Sequence, residues 1–171
     1  AEECDTLHLD LAHGPLSDPV AVNIGNPHAI FFVDDADAVD LAGLGSGLEH
    51  DPLFPARPNI SVAQVTGKDA IRLRVWERGV GITRACGTGA CAIAVIGRLK
   101  RLTGNEVTVD LPGGELVVRW RGPAQGLVVH LYWCMAAPKA FPRRNPYGKS
   151  NASSRAKEGL VDPVSVPVLV I

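Results

Sequence analysis

At 171 residues, with 46% hydrophobic content and a formal net charge of −1, the chain can bury one sizeable core and lacks the basic excess of a nucleic-acid-binding surface. No apolar run reaches the roughly 20 residues of a membrane-spanning helix, and no basic region followed by an apolar stretch marks a signal peptide. Cys4, Cys86, Cys91 and Cys134 fall at irregular spacing, which suits neither a disulfide framework nor a metal-ligand set and fits a reducing, cytoplasmic compartment.

Residues 6–11 alternate in polarity and read as one strand, with a turn between Pro15 and Pro19. Strand-like runs follow at 20–24 and 29–34, and a surface helix is predicted around 38–48. Asp34, Asp35, Asp37, Asp40 and Glu49 read as a solvated loop and the start of that surface helix rather than as a metal cluster. Further strands are predicted at 60–66, 70–76, 106–111 and 115–120. The clearest is Arg72-Leu73-Arg74-Val75-Trp76-Glu77, whose polar and apolar residues alternate as on a half-buried strand.

Between these strands, residues 85–92 read Ala-Cys-Gly-Thr-Gly-Ala-Cys-Ala. Residues 90–99 are apolar almost all round, which predicts a buried helix beginning near Gly87. Cys91 then lies in its core. Cys86 sits at the helix mouth, where free backbone N–H groups and the positive end of the dipole make an anion site. A carboxylate held by the amides around Gly87, Thr88 and Gly89 is expected there. The same field is expected to lower the Cys86 pKa from about 8.5 toward neutrality. Such a thiol serves as a general acid–base or as a nucleophile, and the segment alone does not separate the two. A nucleotide-phosphate loop is a poor fit, since no Gly-Lys-Ser/Thr ending and no Gly-x-Gly-x-x-Gly pattern is present.

Residues 77–91, Glu-Arg-Gly-Val-Gly-Ile-Thr-Arg-Ala-Cys-Gly-Thr-Gly-Ala-Cys, closely resemble an active-site motif of diaminopimelate epimerase. Three other segments agree in the same order: residues 23–29 (Asn-Ile-Gly-Asn-Pro-His-Ala), 54–62 (Phe-Pro-Ala-Arg-Pro-Asn-Ile-Ser-Val) and 110–116 (Asp-Leu-Pro-Gly-Gly-Glu-Leu). The resemblance implies an α+β fold, with a mixed or antiparallel sheet or barrel wrapped around a central buried helix. It also implies a cofactor-independent, metal-free epimerase that interconverts LL- and meso-diaminopimelate with two cysteines, one on each face of the α-carbon. By position Cys86 is one of them. Gly87 and Thr88 match the groups that hold the reacting carboxylate, and Asn26, Asn59, Glu77 and Arg78 match substrate-contacting positions. His28 and Glu77 match the pair that supports the cysteines' protonation state. Plainer roles compete: His28 as a turn hydrogen-bonder, Asn26-Pro27 as a turn, Asn59 as a backbone cap. Ile82 departs from the family, many members of which carry Glu there.

On this reading residues 1–129 form the family's second domain. The first domain is expected to be missing, and with it a Cys-Gly-Asn-Gly motif carrying the opposing cysteine, so the chain is expected not to invert its substrate. Residues 130–171 read as a divergent tail, disordered or out of frame. Residues 138–158 are rich in Pro, Ser, Asn, Lys and Arg, with Arg143-Arg144 a solvated linker. The codons of Tyr132-Trp133-Cys134 shifted by one base give Thr or Ile, then Gly, then Ala or Val, as the family would place there. A frameshift between about residues 123 and 132 is the expectation, and the parent DNA tests it. The partner expected is a small-molecule substrate, with a homodimer as in the family. The rivals are a related racemase acting on another amino acid, such as proline, and a truncated, non-catalytic domain.

Overall fold

The computed structural model describes residues 6–120, residue 122, and backbone stretches at 127–129, 132–134 and 164–166. The elements run β1 (Ala12–His13), β2 (Leu16–Ser17), β3 (Val20–Asn23), β4 (Pro27–Phe32), α1 (Leu41–Glu49), β5 (Asn59–Gly67) and β6 (Ala70–Glu77). Then come β7 (Gly81–Thr83), α2 (Gly87–Leu99), β8 (Glu106–Leu111), β9 (Gly114–Arg119), β10 (Leu127–Val129), β11 (Tyr132–Cys134) and β12 (Val164–Val166).

Alternation along β6 sends Ile71, Leu73 and Val75 to one side of the sheet. On that side they meet α2, whose residues Gly89 to Gly97 are all buried. Val20 and Val22 of β3, Val107 and Val109 of β8, and Leu116 and Val118 of β9 point into the same core. Strands from both margins of the sheet thus curl around one helix. Strands buried on both faces serve two cores: in β4, Ile30 faces α2, while Ala29 and Phe31 join Leu41 and Leu48 of α1 in a second cluster. The strand order is β11-β9-β8-β6-β5-β4-β3, with β7 pairing β6 off that path. Two pairings are parallel, β4 with β5 and β6 with β8, and each parallel connection passes through a helix, α1 and α2 respectively, as parallel strands require.

The expected strands at 20–24, 29–34, 60–66, 70–76, 106–111 and 115–120 and both helices are present with small shifts of boundary. Residues 6–11 are a correction. They form no strand, although the Leu9 amide donates to the Pro19 carbonyl (3.1 Å) and the Ala21 amide to the Thr6 carbonyl (2.8 Å). Pro19 has no N–H to extend a ladder, and Asp18 at φ 51° bends the chain away from extended geometry. Glu49 is a second correction: it is 3% exposed, on the buried side of α1. The other acids serve local structure. Asp35 accepts from the Asp37 and Ala38 amides, Asp37 pairs with Arg72, and Asp40 caps α1 through the Gly43 amide. The expected tail lies outside the described residues apart from the backbone of β11, which adds to β9, and of β12, which pairs β10.

Candidate active site

The topology gathers the motif residues at one end of the sheet. Because β4 and β5 run parallel, their first residues lie side by side, and the register sets His28 opposite Asn59. Because β6 is antiparallel to β5, its last residues come to the same end, with Ile60 opposite Trp76. The β6–β7 turn and the start of α2 follow from there.

Cys86 is the N-cap of α2, in extended geometry (φ −138°, ψ 104°), and its Sγ accepts from the Gly89 amide at 3.4 Å. A thiol in place of the usual Ser, Thr or Asp at this position puts the sulfur over the helix's first turn. Thr88 Oγ1 lies 3.5 Å from that sulfur and accepts from Asn26 Nδ2 at 3.3 Å. Asn26 Oδ1 is 3.1 Å from His28 Nε2, which is 3.4 Å from Asn59 Nδ2. Asn59 Oδ1 in turn accepts from the Arg78 amide at 2.9 Å. Polar contacts therefore run from Cys86 through Thr88 and Asn26 to His28, and from Asn59 to Arg78, with His28 Nε2 serving one of its two neighbours at a time; the backbone-capping role considered for Asn59 coexists with its place beside His28.

Protonation follows from burial. His28 is 1% exposed, and burial lowers its pKa to about 4, so the ring is neutral at pH 7. Its Nε2 donates to Asn26 or accepts from Asn59 but not both at once, and its buried Nδ1 has no partner among the described residues. The Cys86 thiol is a correction. Its pKa is raised, first by burial, with the Glu77 charge adding to the rise; bonds from Thr88 and Gly89 pull the other way without prevailing. At 5% exposure the loss of solvation outweighs the helix-start field on which the sequence expectation rested. Cys91, in the α2 core as expected, is pushed up to about 12 by burial.

Glu77 is half-buried and accepts from Thr83 Oγ1 at 2.6 Å. Arg78 is exposed, with Nη1 donating to the Ala56 carbonyl at 2.8 Å. Among the described residues the hydrogen-bond partners of Cys86 Sγ are Thr88 and Gly89, so His28 and Glu77 reach the thiol only through other groups or through space. A Cβ built on Gly87 would meet nothing within 4 Å, so the first turn of α2 is open to a ligand at the place expected for a carboxylate. Among the described residues no three His, Cys, Asp or Glu side chains gather as a metal site, and no helix is long and apolar enough to cross a membrane.

Three supports of the site lie outside the site residues singled out from the sequence. Thr83 braces Glu77, and the Gly113 amide donates to the Arg84 carbonyl two residues before Cys86. Glu49 holds Trp76 Nε1 and the Gly79 amide. The last was detectable: Leu41, Gly45, Leu48 and Glu49 form one helical stripe, which turns the carboxylate inward.

Comparison with known proteins supplies the family. The diaminopimelate epimerase family model matches residues 20–131. The diaminopimelate epimerase of Erythrobacter litoralis is 60% identical over 116 residues, covering 68% of this chain and 43% of the relative. That of Rhodospirillum centenum is 56% identical over 124 residues, covering 72% and 43%. A PhzF-family phenazine biosynthesis protein of Bacillus anthracis superposes with a TM-score of 0.47 at 20% identity, over 67% of this chain and 38% of that one. This chain spans less than half the length of the two epimerases. On the strength of the family match and these identities, the chain belongs to the diaminopimelate epimerase family.

Proposed function

We propose that this chain supplies one half of a diaminopimelate epimerase site, with Cys86 as its acid–base. The observation that carries the reading is the placement of Cys86 at the N-cap of α2, tied through Thr88 and Asn26 to His28 and Asn59. The substrate's α-carboxylate sits at the open first turn beside Gly87 and Thr88, where helix-start amides favour an anion. Asn26, Asn59, Glu77 and Arg78 contact the remainder of the substrate, and Glu77 with neutral His28 sets the protonation state around the sulfur.

In one direction of the reaction the Cys86 thiolate takes the α-proton. The C–H bond breaks, an S–H bond forms, and the electron pair stays on carbon beside the bound carboxylate. Return of a proton from the same sulfur restores the original configuration. Inversion needs an acid on the opposite face, and Cys91 cannot serve because it is buried inside α2. That second thiol is assigned to the part of the family outside the matched span. The reading requires no cofactor and places the chemistry in the cytoplasm, with pairing of two copies as in the family.

Proton NMR of LL-diaminopimelate in deuterated water tests this. Slow exchange of the α-proton without formation of the meso isomer, abolished in Cys86→Ala, is the expected result. Exchange that survives in Cys86→Ala, or is absent from the parent chain, overturns it. Proline in the same assay tests the related-racemase rival.

A further inference from the structure

Glu49 is a carboxylate buried at the end of α1, 3% exposed, outside the motif residues. Its Oε2 accepts from Trp76 Nε1 at 2.8 Å and its Oε1 from the Gly79 amide at 3.2 Å. These two partners bracket Glu77 and Arg78 in the chain. We propose that Glu49 is a positioning residue for Glu77 and Arg78, fixing the β6–β7 turn by holding the residue on either side of the pair. The proposal rests on the reading of Glu77 and Arg78 as substrate contacts.

Burying a carboxylate is costly unless its oxygens are satisfied, and a neutral acceptor would suffice for an indole N–H alone. Glu49 uses one oxygen on a side chain and the other on the backbone, which fixes the distance between the helix end and the turn. The turn has little else of its own: the Val80 amide bonds to the Glu77 carbonyl, and Gly79 sits at φ 72°, a conformation that a Cβ disfavours. The Arg78 amide is held by Asn59 and the next amide, Gly79, by Glu49. Two side chains from different elements thus capture consecutive amides. On the far side, Gly45 brings α1 against the Trp76 ring so closely that a Cβ there would lie 2.4 Å from it, which keeps the indole within reach of Glu49.

The test uses the full 171-residue chain with amide and indole NMR. In Glu49→Gln the two acceptors become one acceptor and one donor, so one partner loses its bond. Exchange of the Gly79 amide or the Trp76 indole proton is expected to speed up by about tenfold or more. The Glu77 and Arg78 amide signals are expected to move, and the apparent Kd for diaminopimelate read at Arg78 is expected to rise about tenfold. Signals of α2 should stay in place, as a purely structural loss would not allow. Unchanged exchange in a folded Glu49→Gln protein overturns the proposal, and so does faster exchange with unmoved Glu77 and Arg78 signals. If Glu49→Gln does not fold, Trp76→Phe removes one donor and leaves the carboxylate, and the Glu77, Arg78 and Gly79 amide signals are read there; unmoved signals overturn the proposal. A parent chain that shows no response to diaminopimelate refutes the substrate reading alone, while the exchange and shift readouts still decide whether Glu49 holds the turn.

Discussion

Gly113 is the sharpest place to perturb the approach to Cys86 without touching the site. It lies in the two-residue turn joining β8 to β9, and its amide donates to the Arg84 carbonyl at 2.6 Å. A Cβ at this position would lie 2.8 Å from that carbonyl oxygen and 3.3 Å from its carbon. The obstacle is backbone, so rotating a side chain cannot relieve it. Gly113→Ala must push the hairpin off the segment leading into Cys86. Overpacking costs about 1–3 kcal/mol and the lost hydrogen bond about 1 kcal/mol, offset by about 0.4–1 kcal/mol from a less flexible unfolded chain. The net loss is about 2 kcal/mol, or about 4–8 °C in Tm for a chain of this size. Urea unfolding followed by tryptophan fluorescence measures it, and the rate of Cys86 alkylation at pH 8, read by peptide mass mapping, is expected to rise as the cap loosens. Gly87→Ala is the control, since a Cβ there meets nothing within 4 Å, and its stability should stay within about 1 kcal/mol of the parent. A Gly113→Ala protein as stable as the parent, with unchanged alkylation, would refute the reasoning.

Three further outcomes are expected. His28 has its pKa lowered by burial to about 4 from 6.5, so the unfolded chain binds more protons than the folded one between those values. Stability present above pH 6.5 is lost as pH falls toward 4, by about 3 kcal/mol; unfolding at pH 7, 5.5 and 4 should show that slope, and His28→Gln should flatten it. Cys91 is pushed up to about 12 and lies within α2, so iodoacetamide at pH 8 should label Cys86 before Cys91; equal labelling of the two would contradict this. The charge of Glu77 raises the Cys86 pKa, so Glu77→Gln should speed Cys86 alkylation at pH 8 while weakening diaminopimelate binding, and a slower alkylation would remove Glu77 from the electrostatics of the thiol.

What could be read from the sequence divides along physical lines. The helix at 87–99 was legible because its apolar residues run all round and a glycine-rich turn opens it. β6 was legible because five side chains in a row alternate. The hairpin of β1 and β2 has strands of two residues and β7 has three, too short to carry a period. Residues 6–11 have the period, but Pro19 opposite them denies the ladder. In the site, the motif spacing placed Cys86 correctly at a helix mouth. Its pKa was misjudged because the dipole is a local property of the helix start, whereas burial depends on what packs against it. Val75, 14 positions from Gly89, is 3.1 Å from where that residue's Cβ would be. The link from Thr88 to Asn26 spans 62 positions and depends on strand order, which no local pattern encodes.

The raised pKa of Cys86 bears on the division of labour in the proposed reaction. A two-thiol inversion needs one thiolate and one thiol at the start of each turnover. Burial and the Glu77 charge both favour the neutral form of Cys86, and neutral His28, with its pKa near 4, offers no positive charge at neutral pH to stabilise the thiolate. In the unliganded chain the neutral thiol of Cys86 is therefore favoured, the form that would donate a proton in the proposed reaction. On the proposed reading, a bound α-amino acid would change this balance, because its ammonium would bring a positive charge near Glu77. In the proposed reaction, proton removal by Cys86 would then be coupled to substrate binding, while the empty site keeps its sulfur as a thiol, the form less prone to oxidation and alkylation.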